Sequence, residues 1–187
     1  MQNRMKSWIA LTTLAFLAGG AFAAEMADKP AATPPNDAEI AQIVLTADNG
    51  EIDAAKLAKK RTKNADVKAF AEMMIDQHRA VTKDTKQLAK KIKLKPRESA
   101  ASRDLKESSK TADKALKEKK GADFDRAYVD QMVADHQAVL DTIDNQLLPN
   151  AQNAELKALL TKVRPAVAEH LEHAKELQAK LGEPNAG

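Results

Sequence analysis

The spacing of apolar residues constrains this chain more than any other feature, because they recur every three or four positions through four long segments. In each segment, one side of a helix would be apolar and the other charged. Ala, Leu, Lys, Glu and Gln dominate, and no β-branched alternation occurs. The pattern predicts an all-α protein with four helices, named A to D in chain order, at residues 37–60, 64–92, 123–148 and 153–181.

The connections between these helices indicate how they pack. Short turns join A to B and C to D, which predicts two antiparallel hairpins in a four-helix bundle. The B–C connection, Lys95 to Gly121, has only Leu105 and Leu116 as large apolar residues. We expect an exposed or partly ordered helix there, ended by Gly121, with Asp123 as the N-cap of helix C. Twenty helical residues would cover ~30 Å, which would make B and C parallel, as in ferritin-like folds. An up-down-up-down bundle with a floppy B–C loop is the alternative.

The two ends of the chain are not expected to belong to the bundle. Residues 1–23 combine a basic start, an apolar run and a final Ala-x-Ala, which is typical of a cleaved signal peptide. Residues 24–36 are rich in Pro and Ala and predict a flexible spacer. The bundle domain would then occupy residues 37–182, followed by a tail at 183–187. We expect a protein of the periplasm or cell envelope with no transmembrane segment after signal cleavage.

Charge is distributed unevenly along the chain. Residues 83–120 contain fourteen Lys or Arg and six Asp or Glu, whereas residues 121–156 contain one Arg and seven Asp or Glu. Oppositely charged helices that pack side by side would explain the difference. The basic B–C connection could also bind an anionic component of the envelope. Nucleic acid is not expected as a partner of an exported chain.

Helices B and C carry one residue pattern twice, at an offset of 58 positions: AFAEMMIDQHRAV in B and AYVDQMVADHQAV in C. Met74 lies four residues before His78, and Met132 lies four residues before His136, so each pair shares one helix face. Duplication of a helical hairpin would produce this repeat. We therefore expect the two imidazoles to face a shared interior.

Histidine and methionine are the candidate metal ligands. The predicted set is His78 and His136, helped by Met74 and Met132, with His170 of helix D as a third imidazole. Thioether and imidazole together suit Cu(I), and imidazole alone suits Zn(II), Ni(II) or Cu(II), so copper or zinc is the expected ion. The alternative is that the histidines satisfy core hydrogen bonds and the methionines fill gaps.

Other catalytic patterns are disfavoured. Di-iron bundles use a Glu three residues before an inward His, and Ile75, Val133 and Val167 stand at those positions here. The chain has no Cys, and no Ser-His-Asp set, phosphate loop or pair of buried carboxylates can be argued from the sequence. His78 as a general base stays an alternative without a named substrate.

Two functions remain open from the residues alone. The first is a non-enzymatic protein that binds a transition metal or acts in metal or envelope stress. The second is a structural or interaction module that binds anionic envelope partners through its B–C connection, with purely structural histidines.

Four pieces of the chain resemble the bacterial family called domain of unknown function 4142, whose members are often labelled outer membrane proteins. The pieces are EIDAAKLAKK, VKAFAEMMIDQH, FDRAYVDQMVADHQAVL and HLEHAKEL, and the resemblance covers roughly residues 36–181. It implies a ferritin-like helical bundle in the cell envelope and no catalytic residues. The Met-x-x-x-His of helix B is also similar to a second ferritin-like family with Met- and His-rich helices, whose adjacent His-His pair is absent here.

Overall fold

The structure, a computed structural model, describes residues 33–182. The predicted signal peptide, residues 24–32 of the predicted spacer and the tail at 183–187 lie outside the described residues. The part of the chain that is described contains five long helices and no strand, so the prediction of an all-α bundle is confirmed. The helices are α1 Asp37–Arg61, α2 Ala65–Lys91, α3 Ala100–Glu118, α4 Gly121–Thr142 and α5 Ala154–Gly182.

Side-chain caps define where α1, α2 and α5 begin. Asn36, Asn64 and Asn153 each accept hydrogen bonds from two backbone N–H groups of the following first turn. These N–H groups have no partner within a helix, so a side-chain oxygen at this position stabilises the helix start. Glu39 also returns a bond to the Asn36 backbone N–H, which completes a capping box.

The junction between α3 and α4 differs from the prediction. Helix α3 ends at Glu118, and Gly121 is the first residue of α4, with φ at 53°. Gly121 therefore adopts the left-handed conformation expected of it, but at a helix start rather than a helix end. Asp123 lies inside the first turn of α4 and is not its N-cap.

Helices α1 and α2 form one antiparallel hairpin, and α4 and α5 form another. At one end of the bundle, the Asp37 carboxylate accepts bonds from the backbone N–H groups of Gln152 (2.8 Å) and Asn153 (3.0 Å), just before α5. At the other end, Lys180 lies 4.0 Å from Asp66. Helices α1 and α5 therefore run one way, and α2 and α4 run the other.

Helix α3 runs along the length of α1 and makes the parallel arrangement of α2 and α4 possible. The Arg97 backbone N–H donates to the Ala38 carbonyl (3.0 Å) at the start of α1. At the end of α1, the Arg61 guanidinium donates to the carbonyl of Lys117 (2.9 Å). The B–C connection is thus an ordered helix with Leu116 buried. The alternative of a floppy loop in an up-down-up-down bundle is wrong.

The bundle core consists of two apolar clusters. One lies around Phe70, Phe124 and Tyr128. The other includes residues of α1, of α5 and of the end of α4, which continues through a π-helical turn, Ile143–Leu147, and one α-turn, Leu148–Asn150. Buried histidines separate the two clusters along the bundle axis.

None of the helices between residues 33 and 182 is long and apolar enough to cross a lipid bilayer.

Gly50 allows α3 to approach α1 closely. A Cβ atom at this position would lie 2.7 Å from Ser109 Oγ and 3.2 Å from Ser109 Cβ. Replacing Gly by Ala inside a helix ordinarily stabilises it by about 1 kcal/mol. We predict that Gly50→Ala gives no such gain here, because the new methyl group collides with Ser109. In a Ser109→Gly background, the same change should stabilise the protein by about 1 kcal/mol.

Urea unfolding of the four proteins in this double-mutant cycle measures the difference. An equal gain from Gly50→Ala in both backgrounds would show that α3 does not pack on α1 as described.

Candidate metal centre

Three histidines from three helices meet in the layer between the two apolar clusters. His78 of α2, His136 of α4 and His170 of α5 are 7%, 2% and 4% exposed. Their ring centroids are 5.8 Å apart for His78 and His136, 5.3 Å for His78 and His170, and 5.4 Å for His136 and His170. One ring nitrogen of each lies within 4.8 Å of one from each of the others. The duplicated helices therefore bring their imidazoles into a shared interior, together with the third histidine that the sequence suggested.

His78 is oriented by a carboxylate of the neighbouring helix. Its Nδ1 lies 2.9 Å from Oδ1 of Asp48 on α1, and the other oxygen of Asp48 accepts from the Thr82 hydroxyl at 3.3 Å. An ionised carboxylate only accepts hydrogen bonds, so Nδ1 of His78 carries the proton. Its Nε2 is buried without a partner. That nitrogen presents a free lone pair.

His136 and His170 are oriented in the same manner by neutral oxygens. Nδ1 of His136 donates to the backbone carbonyl of Met132 (2.8 Å), and Nε2 of His170 donates to Oε1 of Gln77 (2.7 Å). The free nitrogens are then Nε2 of His136 and Nδ1 of His170, and the latter is buried without a partner. All three rings have one nitrogen bonded to an oxygen and one left for a ligand, which is how metal-binding histidines are held in proteins.

Burial keeps two of these rings neutral at pH 7. It lowers the pKa of His136 to about 4, with a smaller effect of His78 in the same direction. It lowers the pKa of His170 to about 3, and the neighbouring His78 and His136 add to the shift. Neutral imidazole is the form that binds metals, so these two rings would not have to lose a proton to bind an ion near pH 7.

Two buried carboxylates on α1 lie beside the histidines, a pair that could not be argued from the sequence. Asp48 is 5% exposed and Glu51, one turn further on, is 7% exposed. Burial raises the pKa of Asp48, against the opposing hydrogen bond from His78. It raises the pKa of Glu51 well above its usual value, helped by Asp135 and Asp48. Both carboxylates lie on the apolar face of helix A. Acidic residues on an apolar face are the sequence feature that could have indicated them.

A cavity of about 410 Å³ opens beside the three imidazoles. His78, His136, His170 and Glu51 line one part of it. Most of the remaining wall is apolar and comes from α3 and all four bundle helices, including Ile43, Val81, Val139, Leu160 and Val163. The cluster therefore has space for a further group beside it.

Comparison with known protein families identifies the family of this chain. Residues 21–177 match the family described as Domain of unknown function (DUF4142). The chain belongs to the DUF4142 family. No curated protein and no solved structure matches it. The family confirms the resemblance stated from the four sequence pieces and assigns no function, so the function of this DUF4142 chain has to be argued from its own residues.

The two methionines of the repeat are placed differently from the histidines. Met74 and Met132 are 0% exposed and belong to the apolar cluster around Phe70 and Tyr128. Neither is among the residues that line the cavity, whereas all three histidines are. Their role as metal ligands stays a prediction, and the structure supplies a stronger ligand set from imidazoles alone.

His173, three residues after His170, lies outside the cluster. It is exposed, and its ring packs edge-on against Phe70 with centroids 5.0 Å apart. The i, i+3 pair of helix D is therefore divided between the interior and the surface. This makes His173 a matched control for experiments on His170.

The buried histidines predict a specific pH dependence of the metal-free protein. The folded-state pKa values of His136 and His170 lie below the ordinary value of 6.5, so the unfolded chain takes up protons first as pH falls. The contribution of these two rings to the free energy of unfolding is therefore full above pH 6.5 and decreases as the pH falls toward 4. The buried Glu51, with its raised pKa, acts in the opposite direction, so variants must be compared.

Between pH 7 and pH 4.5, we predict that the free energy of unfolding decreases by about 2–3 kcal/mol less in His170→Gln than in the parent. Urea unfolding at both pH values, in the presence of a chelator, measures this, with His173→Gln as the control. Identical pH dependence in the parent and His170→Gln would contradict the assignment of His170 as a buried neutral ring.

Proposed function

We propose that this DUF4142 chain is an exported protein of the cell envelope that binds a divalent transition metal, Zn(II) before Cu(II), through His78, His136 and His170. The supporting observation is that each buried imidazole has one nitrogen bonded to an oxygen and the other free. A buried polar atom without a partner is costly. Such atoms gathered in one place favour a ligand that satisfies them together.

The donor set fits zinc. Three neutral imidazoles with one open position are a known arrangement for Zn(II), with Zn–N bonds of ~2.0–2.1 Å. Such bonds place the ligand nitrogens about 3.3 Å apart. One nitrogen of each ring lies within 4.8 Å of one from each of the other two, so with those nitrogens as ligands the rings would have to approach by no more than about 1.5 Å. Asp48, Gln77 and the Met132 carbonyl would supply the outer hydrogen bonds that hold the rings in place.

Zinc should stabilise the folded protein through these three residues. At a hundredfold excess over the dissociation constant, a bound ion adds about 2.7 kcal/mol to the free energy of unfolding. We predict this stabilisation in the parent protein and its loss in His136→Gln and His170→Gln. Thermal and urea unfolding with and without zinc measure it. No zinc-dependent change in the parent would refute the proposed function.

Two control variants test which residues are ligands. His173→Gln changes a histidine outside the cluster and should leave the zinc effect intact. Met74→Leu/Met132→Leu nearly conserves side-chain volume and should also leave it intact, because neither methionine lines the cavity. A loss of zinc stabilisation in the methionine double variant, with folding retained, would restore the thioethers to the ligand set.

Asp48 is expected to strengthen metal binding without touching the ion. We predict that Asp48→Asn weakens zinc binding about 10- to 100-fold, because outer hydrogen-bond partners of ligating histidines contribute by this amount. Asp53→Asn, on the exposed side of α1, is the matched control. Competition against a coloured zinc chelator measures both constants, and equal affinities for the two variants would contradict a role for Asp48.

The basic excess of residues 83–120, with fourteen Lys or Arg against six Asp or Glu, supports a second proposal, in which this segment binds an anionic component of the envelope. Arg103, Lys106, Lys110, Lys114 and Lys117 are all exposed, although Lys110 pairs with Glu107 at 2.8 Å.

We predict salt-sensitive binding to vesicles with anionic headgroups, reduced in Lys106→Glu/Lys114→Glu. Sedimentation with the vesicles measures it. Equal binding of the parent and the double variant would reject this role.

A further inference from the structure

We propose that the cavity beside the three histidines binds a small monocarboxylate with an apolar body, such as a medium-chain fatty acid, whose carboxylate takes the open position of the metal. This inference rests on the proposed metal centre and names the ligand class that the centre would hold.

The size and lining of the cavity argue for an apolar body. Protein interiors are close-packed, and voids larger than a water molecule are few. A cavity of about 410 Å³ is within the range of small-molecule sites and far exceeds what a metal ion needs. The wall away from the histidines is mostly apolar, with residues such as Val44, Val81, Val139 and Val163, although Asp84, Lys162 and two serines of α3 also line it. This lining fits a hydrocarbon chain better than a polar metabolite.

The polar end of the cavity argues for a single anionic headgroup. Nε2 of His78, Nδ1 of His170 and Oε2 of Glu51 are buried without hydrogen-bond partners. A metal ion would satisfy the two nitrogens but leave Glu51 without a partner. A carboxylate could bind the metal through one oxygen and accept a hydrogen bond from the Glu51 carboxyl through the other. His78, His170 and Glu51 all line this cavity.

The charge of the loaded site also favours an anion. A divalent ion held by three neutral imidazoles keeps both positive charges, and the Asp48 carboxylate bonded to His78 offsets one of them. One monovalent anion at the open position would offset the second charge, in competition with the half-buried Asp135, which also lines the cavity. A cationic headgroup would instead meet a charge of its own sign.

The experiment uses the purified full-length protein. Zinc binding is measured first, and then decanoate, acetate and decyltrimethylammonium are titrated calorimetrically into the zinc-loaded and chelator-treated protein. We expect decanoate to bind the zinc-loaded protein at least about a hundredfold more tightly than acetate, because each buried methylene adds to affinity. Decyltrimethylammonium, with the same chain and the opposite charge, should bind much more weakly than decanoate.

Variants of a cavity residue two helical turns from His170 separate the cavity from the metal. Val163→Phe should fill the cavity, leave zinc binding unchanged and weaken decanoate binding at least about tenfold. Val163→Ala, which keeps the space open, should bind decanoate within about threefold of the parent.

The outcomes distinguish this inference from the proposed function. Failure of zinc to bind overturns both. Zinc binding with decanoate no tighter than acetate overturns only the inference, and so does decanoate binding that Val163→Phe leaves intact. Decanoate that binds equally well to the zinc-free protein overturns the proposed contact between headgroup and metal.

Discussion

A buried imidazole has two ring nitrogens that both lose water on folding, so both need new partners in the interior of this bundle. Each of the three central histidines satisfies one nitrogen with an oxygen of the protein. Asp48 of α1 holds His78 of α2, Gln77 of α2 holds His170 of α5, and α4 supplies its own carbonyl to His136. The polar layer therefore links α1 to α2 and α2 to α5. The second nitrogens of His78 and His170 remain without protein partners.

The two apolar clusters on either side give this layer its low-dielectric surroundings. Phe70, Phe124 and Tyr128 close one side, and Ile40, Leu156 and Leu160 close the other. Because His136 and His170 are removed from solvent, their pKa values are lowered and their free nitrogens keep their lone pairs near neutral pH. Hydrophobic packing and the protonation of the cluster are thus coupled: the residues that stabilise the bundle also keep these two imidazoles neutral.

Helical periodicity made much of this arrangement predictable. The helices and hairpins followed from apolar spacing and turn length, and the 58-residue repeat correctly paired His78 with His136. The sequence predicted a helix at α3 but left its order open, because contacts with α1 such as Arg97 to Ala38 and Arg61 to Lys117 hold this segment in place, and no local pattern encodes them. Gln77 was missed because it lies on an exposed part of α2, and only the crossing with α5 brings it to His170.

The buried carboxylates show a different limit. Asp48 and Glu51 fall on the apolar face of α1, so their positions could have been noticed, but charged residues are usually exposed. Whether such a residue is buried depends on what faces it across the bundle. His78 faces Asp48, and Glu51 faces a cavity; neither fact follows from the sequence of α1. The cavity itself is a property of five helices together and has no counterpart in any one segment.

The origin of the three rings in two separate hairpins has a consequence for how the protein matures. His78 belongs to the first hairpin, whereas His136 and His170 belong to the second, so neither half alone contains the complete set. A chain emerging from synthesis or translocation would have only one of these imidazoles until α4 and α5 follow. Tight metal binding would then begin only when the two hairpins pack together. A bound ion would join them and would be present only in the fully assembled bundle.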